Sequence, residues 1–213
     1  MKYNPPLYFH FLTPVYDSLF RLLLPSEKIR KTSIQLLDYD IPTDIVELGS
    51  GTGALTLPLA KQFPSCRISA VDIDRKSNAI LHKKIWKSSI GNVQVQEALS
   101  YHLPFETGSV SVVFASLLFC NLPLKLKYDT MQEAKRVLHK NGKLLITEWG
   151  PPLTLLSKTG FMVLKAIGRN NITDLSNGML PNYLKANGFT CSQKQTLNTL
   201  FGTLYFYQAE KLT

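Results

Sequence analysis

Gly49-Ser50-Gly51-Thr52-Gly53 follows directly on the β-rich run Asp44-Ile45-Val46-Glu47-Leu48, and the segment from Ala54 to Ala60 has helix-forming composition. Glycines at alternate positions between a strand and a helix let the backbone come close to a ligand, at the strand end where an open parallel sheet binds one. Asp72 stands 23 residues after Gly49, at the end of the next β-rich run. Its carboxylate can accept two charge-assisted hydrogen bonds from ribose hydroxyls. A tight connection followed by a helix cap is the bland alternative. Strand, turn, helix, strand and terminal acid in register argue instead for a nucleoside site.

Two nucleoside chemistries fit such a corner. Gly49-x-Gly51-x-x-Ala54 satisfies the dinucleotide fingerprint. Against a pyrophosphate stand Glu47, which suits a cationic group, and the third glycine, Gly53. S-adenosylmethionine offers both partners the turn can use: a carboxylate for backbone N–H groups at the helix start, and an amino group that Glu47 reaches directly or through water. Methyl transfer to a nucleophile then asks mainly for alignment and exclusion of water, and for a base only where the acceptor must lose a proton. His102, Glu148 and His10 are candidates for that base by position alone, each with a structural side chain as the alternative. Tyr8 and Tyr16 are candidates to close over the cofactor, or to pack in the core.

The elements that must position these groups are legible as an alternation. Short β-rich runs at 44–48, 67–72, 92–96, 110–115 and 143–148 are separated by segments of helical spacing or composition. Such repetition implies a parallel sheet with helices on both faces. Ser26-Glu27 opens a capped helix ahead of the first strand, with Ile29, Ile34 and Leu37 as its apolar points. A helix over 128–138 is expected to end at Asn141-Gly142, with the glycine in the left-handed conformation. Two further helices are expected at 153–167 and 180–186, and strands at 190–196 and 203–209 form a terminal hairpin joined through Asn198 and Gly202. The expected fold class is α/β: a Rossmann-like, seven-stranded, mostly parallel sheet ending in an antiparallel hairpin. At 213 residues one domain suffices, with 1–40 as N-terminal lid and helices, 41–150 as the cofactor-binding core, and 151–213 as substrate-side helices and hairpin.

Composition bounds the partners. The formal net charge of +9 permits an anionic partner, whether a phospholipid surface, nucleic acid or an acidic substrate. The basic residues are spread over 75–87, 125–143 and 158–169 rather than gathered in one arm, which argues against nucleic acid. The stretch 153–167 carries Phe161, Met162, Leu164 and Ile167 beside Lys158 and Lys165, with Arg169 following; it suits burial against the sheet, an apolar substrate pocket or a membrane surface. Cys66, Cys120 and Cys191 are odd in number and lack metal-ligand spacing, so neither a disulfide framework nor a metal site is expected, and a cytoplasmic, reducing setting fits. The aromatic and proline-containing N-terminus does not read as a signal peptide, and no apolar run reaches the roughly 20 residues that span a bilayer.

The chain resembles the class I S-adenosylmethionine-dependent methyltransferases, near the ubiquinone and menaquinone biosynthesis enzymes. Val46-Glu47-Leu48-Gly49-Ser50-Gly51-Thr52-Gly53 resembles the family's first motif, and Val71-Asp72-Ile73-Asp74 its second-strand motif. Glu97-Ala98 with Leu103-Pro104-Phe105-Glu106 is similar to the segment that borders adenine and the loop after it. Residues 133–146 resemble the helix, turn and fifth strand, and Pro14-Val15-Tyr16-Asp17 the lid. The resemblance implies cofactor contacts at Tyr16, Glu47, Gly49, Ser50, Gly51, Thr52, Gly53, Asp72, Ile73, Glu97, Ala98 and Ser116, and S-adenosylhomocysteine as the product. Departures touch the acceptor side. Val110-Ser111 replaces Phe-Asp, Phe119-Cys120-Asn121 lacks the histidine often found there, and the loop from Ala98 to Leu103 is longer, with Tyr101 and His102 in it. The acceptor is therefore expected to be a small molecule or lipid, approached in one version at an anionic membrane. A nucleic-acid methyltransferase is the rival within the enzymes, although Asn121-Leu122-Pro123-Leu124 is not an Asn-Pro-Pro-Tyr motif. A non-catalytic protein that keeps the fold is the rival outside them.

Overall fold

A computed structural model describes residues 26–37, 42–166 and 170–212. Its sheet has seven strands: β1 (Asp44–Leu48), β2 (Arg67–Asp72), β3 (Val93–Glu97), β4 (Val110–Ser116), β5 (Leu138–Gly150), β6 (Phe189–Thr199) and β7 (Gly202–Lys211). They lie in the order β3-β2-β1-β4-β5-β7-β6. The first five are parallel, β5 and β7 pair antiparallel, and β6 closes the edge antiparallel to β7. The hairpin thus inserts its second strand between β5 and its first, and β1 and β4 meet where the strand order reverses. That reversal opens the crevice in which such sheets take ligands.

Helices follow the strands: α1 (Ser26–Gln35), α2 (Thr56–Gln62), α3 (Arg75–Lys87), α4 (Leu124–Val137), α5 (Leu155–Ala166), α6 (Thr173–Ser176) and α7 (Leu180–Ala186). β1 and β4 are buried almost throughout, so they read as continuous apolar runs. β3, at the edge of the sheet, alternates Val and Gln and has no fully buried residue. One hydrophobic cluster runs from Ile29 and Ile34 of α1 through the sheet to Ala209 of β7. The Ser33 hydroxyl meets that of Thr147 at 2.7 Å, which pins α1 to β5.

One buried charge braces this layer. Lys127 of α4 is 1% exposed and donates to the Asn171 carbonyl at 2.6 Å and to both Asp174 carboxylate oxygens at 2.7 Å. Its paired geometry is what makes the burial tolerable.

The expected end of the fourth helix is corrected. α4 stops at Val137, Leu138 is already extended, and Gly142 lies inside β5 rather than in a left-handed cap. The register slips between Val110 and Val112, so the front of β5 bulges against β4. A Cβ on Gly142 would stand 2.8 Å from Leu138 Cδ2 and 3.1 Å from the Ser111 carbonyl oxygen. Space, not helix termination, requires the glycine.

Candidate functional site

β1 ends beneath the glycine turn, and Gly49, Gly51 and Gly53 all take positive φ, at 68°, 53° and 81°. Their reasons differ. A Cβ on Gly53 would lie 2.3 Å from Leu81 Cδ1, and one on Gly49 would lie 2.9 Å from Leu118 Cδ1. A Cβ on Gly51 would meet nothing within 4 Å, because that position opens to the crevice. The turn is preformed from within. Gly49 N and Ser50 N donate to the Val71 carbonyl, Gly53 N to the Ser50 carbonyl, and Gly51 N to Asp72 Oδ2 at 2.7 Å. Helix α2 begins only at Thr56. These amides hold the turn's shape. The Ser50 hydroxyl, in contrast, is buried with no hydrogen-bond partner.

Asp72 ends β2 with Oδ1 accepting from Asp74 N at 2.8 Å, and the Asn78 side-chain amide donates to the Asp72 carbonyl at 3.1 Å. The carboxylate is oriented, while each of its oxygens retains acceptor capacity for a ribose hydroxyl. Beyond it lies a cavity of about 390 Å³ lined by Ile73, Glu97, Ala98, Leu99, His102, Leu103 and Pro104. Its wall is stiff: Leu103 N donates to Glu133 Oε1 at 2.7 Å, and the Arg136 guanidinium donates to the carbonyls of Leu103 and Phe105. Arg136 in turn holds the Glu133 carboxyl below the usual carboxylate range. Size alone does not select this cavity. A hollow of about 410 Å³ lies toward the amino ends of the strands, near Asp44, Arg67 and Asn92, whereas Ile73 and Glu97 put the smaller one at the carboxyl ends, beside Asp72.

Residues 45–142 match a family described as "Methyltransferase domain". Over that stretch the chain is similar to known methyltransferases. It is 30% identical over 146 residues to demethylmenaquinone methyltransferase of Thermus thermophilus, a match that covers 68% of this chain and 65% of that one. The chain thus spans less than two thirds of that relative's length. A putative S-adenosyl-L-methionine-dependent methyltransferase from Methanococcus maripaludis shares the fold at a TM-score of 0.69 with 19% identity, over 100% of this chain and 98% of that one. The [4+2]-cyclase SpnF shares it at 0.68 with 12% identity, over 88% and 82%.

In this structure the residues singled out from sequence fall into three groups. Glu47, Gly49, Ser50, Gly51, Thr52, Gly53, Asp72 and Ser116 gather at the carboxyl ends of β1, β2 and β4, with Leu48 in register with Ala115. Ile73, Glu97, Ala98 and His102 line the adjoining cavity. Glu97 also receives the Arg75 guanidinium, 2.8 Å away on the surface. Glu148 stands apart: it is fully buried, and its oxygens accept from Trp149 N at 2.8 Å and Cys120 N at 3.0 Å. It anchors the 3₁₀ turn Phe119–Asn121 after β4. Tyr8, Tyr16 and His10 lie outside the described residues.

Several functional positions had no distinct signal in the sequence. Thr56 donates to Glu47 Oε2 at 2.6 Å, and Leu117 takes a φ of 54° while its carbonyl accepts from the Asn121 side chain at 2.8 Å. A left-handed leucine beside Gly49 and Leu118 is strain held by its surroundings. The contact partners become visible only after folding.

Burial pushes the Glu47 carboxyl up to about 8, against the bond from Thr56 and with help from the nearby Asp72 charge. Burial likewise raises Glu148 to about 7, against its bonds from Trp149 and Cys120. The folded protein therefore keeps protons that the unfolded chain releases above its usual 4.5. Stability is greatest on the acid side of this window and declines as pH climbs through 7 toward 8. Denaturation midpoints from about pH 5 to 9 are expected to show that decline, and Glu47→Gln is expected to flatten its upper part. A wild-type midpoint that rises with pH over this range overturns the assignment.

Proposed function

We propose that this chain transfers the methyl group of S-adenosylmethionine to a small-molecule or lipid acceptor, releasing S-adenosylhomocysteine. The observation that carries the reading is the pairing of an open Gly51 with an oriented Asp72, next to a cavity of about 390 Å³ walled by Ile73, Glu97, Ala98 and Leu103. When bound, the methyl donor supplies an activated sulfonium carbon, and the protein's task is to place it. Asp72 takes the ribose hydroxyls, the cavity takes the base, and the turn from Gly49 to Gly53 takes the amino-acid end. Glu47 gives up its proton to face the ligand's ammonium group. Ser116 and Leu118 floor the crevice beside the reacting carbon.

Of the candidate bases, His102 is exposed at the rim of the cavity, whereas Glu148 is sealed and already accepts two backbone N–H groups, so His102 is the accessible one among the described residues. Tyr16 as lid and His10 remain part of the proposal, as does a single domain spanning 1–213 with a cytoplasmic setting. The Thermus relative is named for a small-molecule acceptor, which favours that class here. Nucleic acid is disfavoured by the spread of the basic residues along the chain and by Asn121-Leu122-Pro123-Leu124 in place of an Asn-Pro-Pro-Tyr motif.

A protein that keeps the fold without transferring a methyl group is the rival, since the fold is not confined to methyl transfer: a [4+2]-cyclase shares it. Methyl-labelled S-adenosylmethionine incubated with the protein and a cell extract, then partitioned into lipid, small-molecule and polymer fractions, is expected to label the lipid or small-molecule fraction. Label confined to polymer sinks the acceptor class. Tight binding with no label in any fraction sinks catalysis.

A further inference from the structure

We propose that the carboxyl rim of this protein docks on an anionic lipid surface through the outward face of α5 and the tip of the β6–β7 hairpin. Helix α5 is amphipathic in reverse. Ser157, Gly160 and Phe161 face the protein, and a Cβ on Gly160 would fall 1.8 Å from the Leu200 carbonyl oxygen. Outward stand Leu155, 79% exposed, and Met162, 69% exposed, with Leu156 beside them. Leu153 before the helix and Leu200 at the hairpin tip extend this face. A large apolar patch on a folded surface marks an interaction site rather than ordinary exposure.

The patch is continuous and well placed. Gly160 rests on the Leu200 carbonyl, and Leu153 N donates to the Thr203 hydroxyl at 3.1 Å, so helix and hairpin tip form one surface. Gly150 pairs with Thr203, which puts the tip beyond the carboxyl end of β5. The glycine turn and the ends of β1 and β4 open on the same edge of the sheet.

Charge selects the occupant. From Trp149 to Thr173 the sequence holds Lys158, Lys165 and Arg169 and no acidic residue; from Phe189 to Ala209 it holds Lys194 and again no acid. A second copy would set cations against cations in a chain of formal charge +9, and these two stretches of sequence offer no acid to pair with them. Anionic lipid meets both needs, apolar depth and negative charge. The helix lies on the bilayer rather than crossing it: its 12 residues span about 18 Å, and among the described residues no helix is long and apolar enough to traverse a membrane. Resting on the methyl-transfer reading above, this orientation delivers an apolar acceptor to the crevice from the lipid phase.

Cosedimentation of the full chain with vesicles of phosphatidylglycerol and phosphatidylcholine, against phosphatidylcholine alone, tests the docking. Binding is expected to the anionic vesicles and to weaken at high salt. The double substitution Leu155→Ser with Met162→Ser is expected to lower partitioning about tenfold or more, and Lys158→Glu to lower it several-fold. Titration of S-adenosylhomocysteine into the same variants is expected to be unchanged, so a failure of docking and a failure of the cofactor reading are told apart. Wild type that stays in the supernatant with anionic vesicles overturns the proposal. So does partitioning indifferent to the double substitution, or a dimer in sedimentation velocity that the double substitution dissociates.

Discussion

Gly51→Val is expected to abolish S-adenosylmethionine binding while leaving a folded protein. Gly51 sits at a φ of 53° with no atom within 4 Å of an added Cβ, so the valine side chain enters the crevice and not the protein. The left-handed backbone costs a β-branched residue about 1–3 kcal/mol of stability, a shift of a few degrees in Tm for a chain of this size. The cost to binding is larger, because the side chain occupies the volume through which the ligand approaches. A loss of 100-fold or more is expected by calorimetry, about 3 kcal/mol. Gly53→Val is the contrasting control. Its Cβ would meet Leu81 Cδ1 at 2.3 Å inside the protein, so the expected damage is to folding, read as a much lower Tm. Normal affinity in a folded Gly51→Val protein means the turn is not the floor of the pocket.

Asp72→Ala is expected to weaken cofactor binding by about 1.5–3 kcal/mol, the scale of hydrogen bonds to a charged group. Two routes contribute. The carboxylate faces the crevice, where it can accept ribose hydroxyls, and it also holds the amides of Gly51 and Asp74 in place. Comparing S-adenosylhomocysteine with an analogue that lacks the ribose hydroxyls separates them. If Asp72 grips the sugar, the analogue binds wild type and variant with similar, weak affinity. Equal losses for both ligands assign Asp72 to shaping the turn, and unchanged affinity for the natural ligand removes it from the site.

How far this protein can be read without coordinates depends on the range over which each signal acts. Strand and helix periodicity is local. β1, β2 and α7 accordingly fall at the boundaries read from composition, and the glycine turn and Asp72 are found by spacing along one β–α–β unit. The same local reasoning misplaced Gly142, because its glycine answers to Leu138 and to the Ser111 carbonyl on a neighbouring strand. The acids show the divide most clearly. Glu47, Asp72, Glu97 and Glu148 are all visible as carboxylates, yet only the packed structure separates them. Burial beside Thr56 leaves Glu47 protonated at neutral pH, and the turn's own amide orients Asp72. Arg75 claims Glu97 at the surface, and the Cys120 amide, 28 positions away, draws Glu148 into a structural tie.

The sequence by itself thus determined the order of elements, the glycine corner proposed to take a nucleoside and the acid that ends the second strand, since each is encoded within one or two adjacent elements. Tertiary structure decided which side chains remain available to a ligand and in what charge state. Desolvation and hydrogen-bond partnership are set by residues far apart in the chain, and become definite only when the sheet closes and its helices dock.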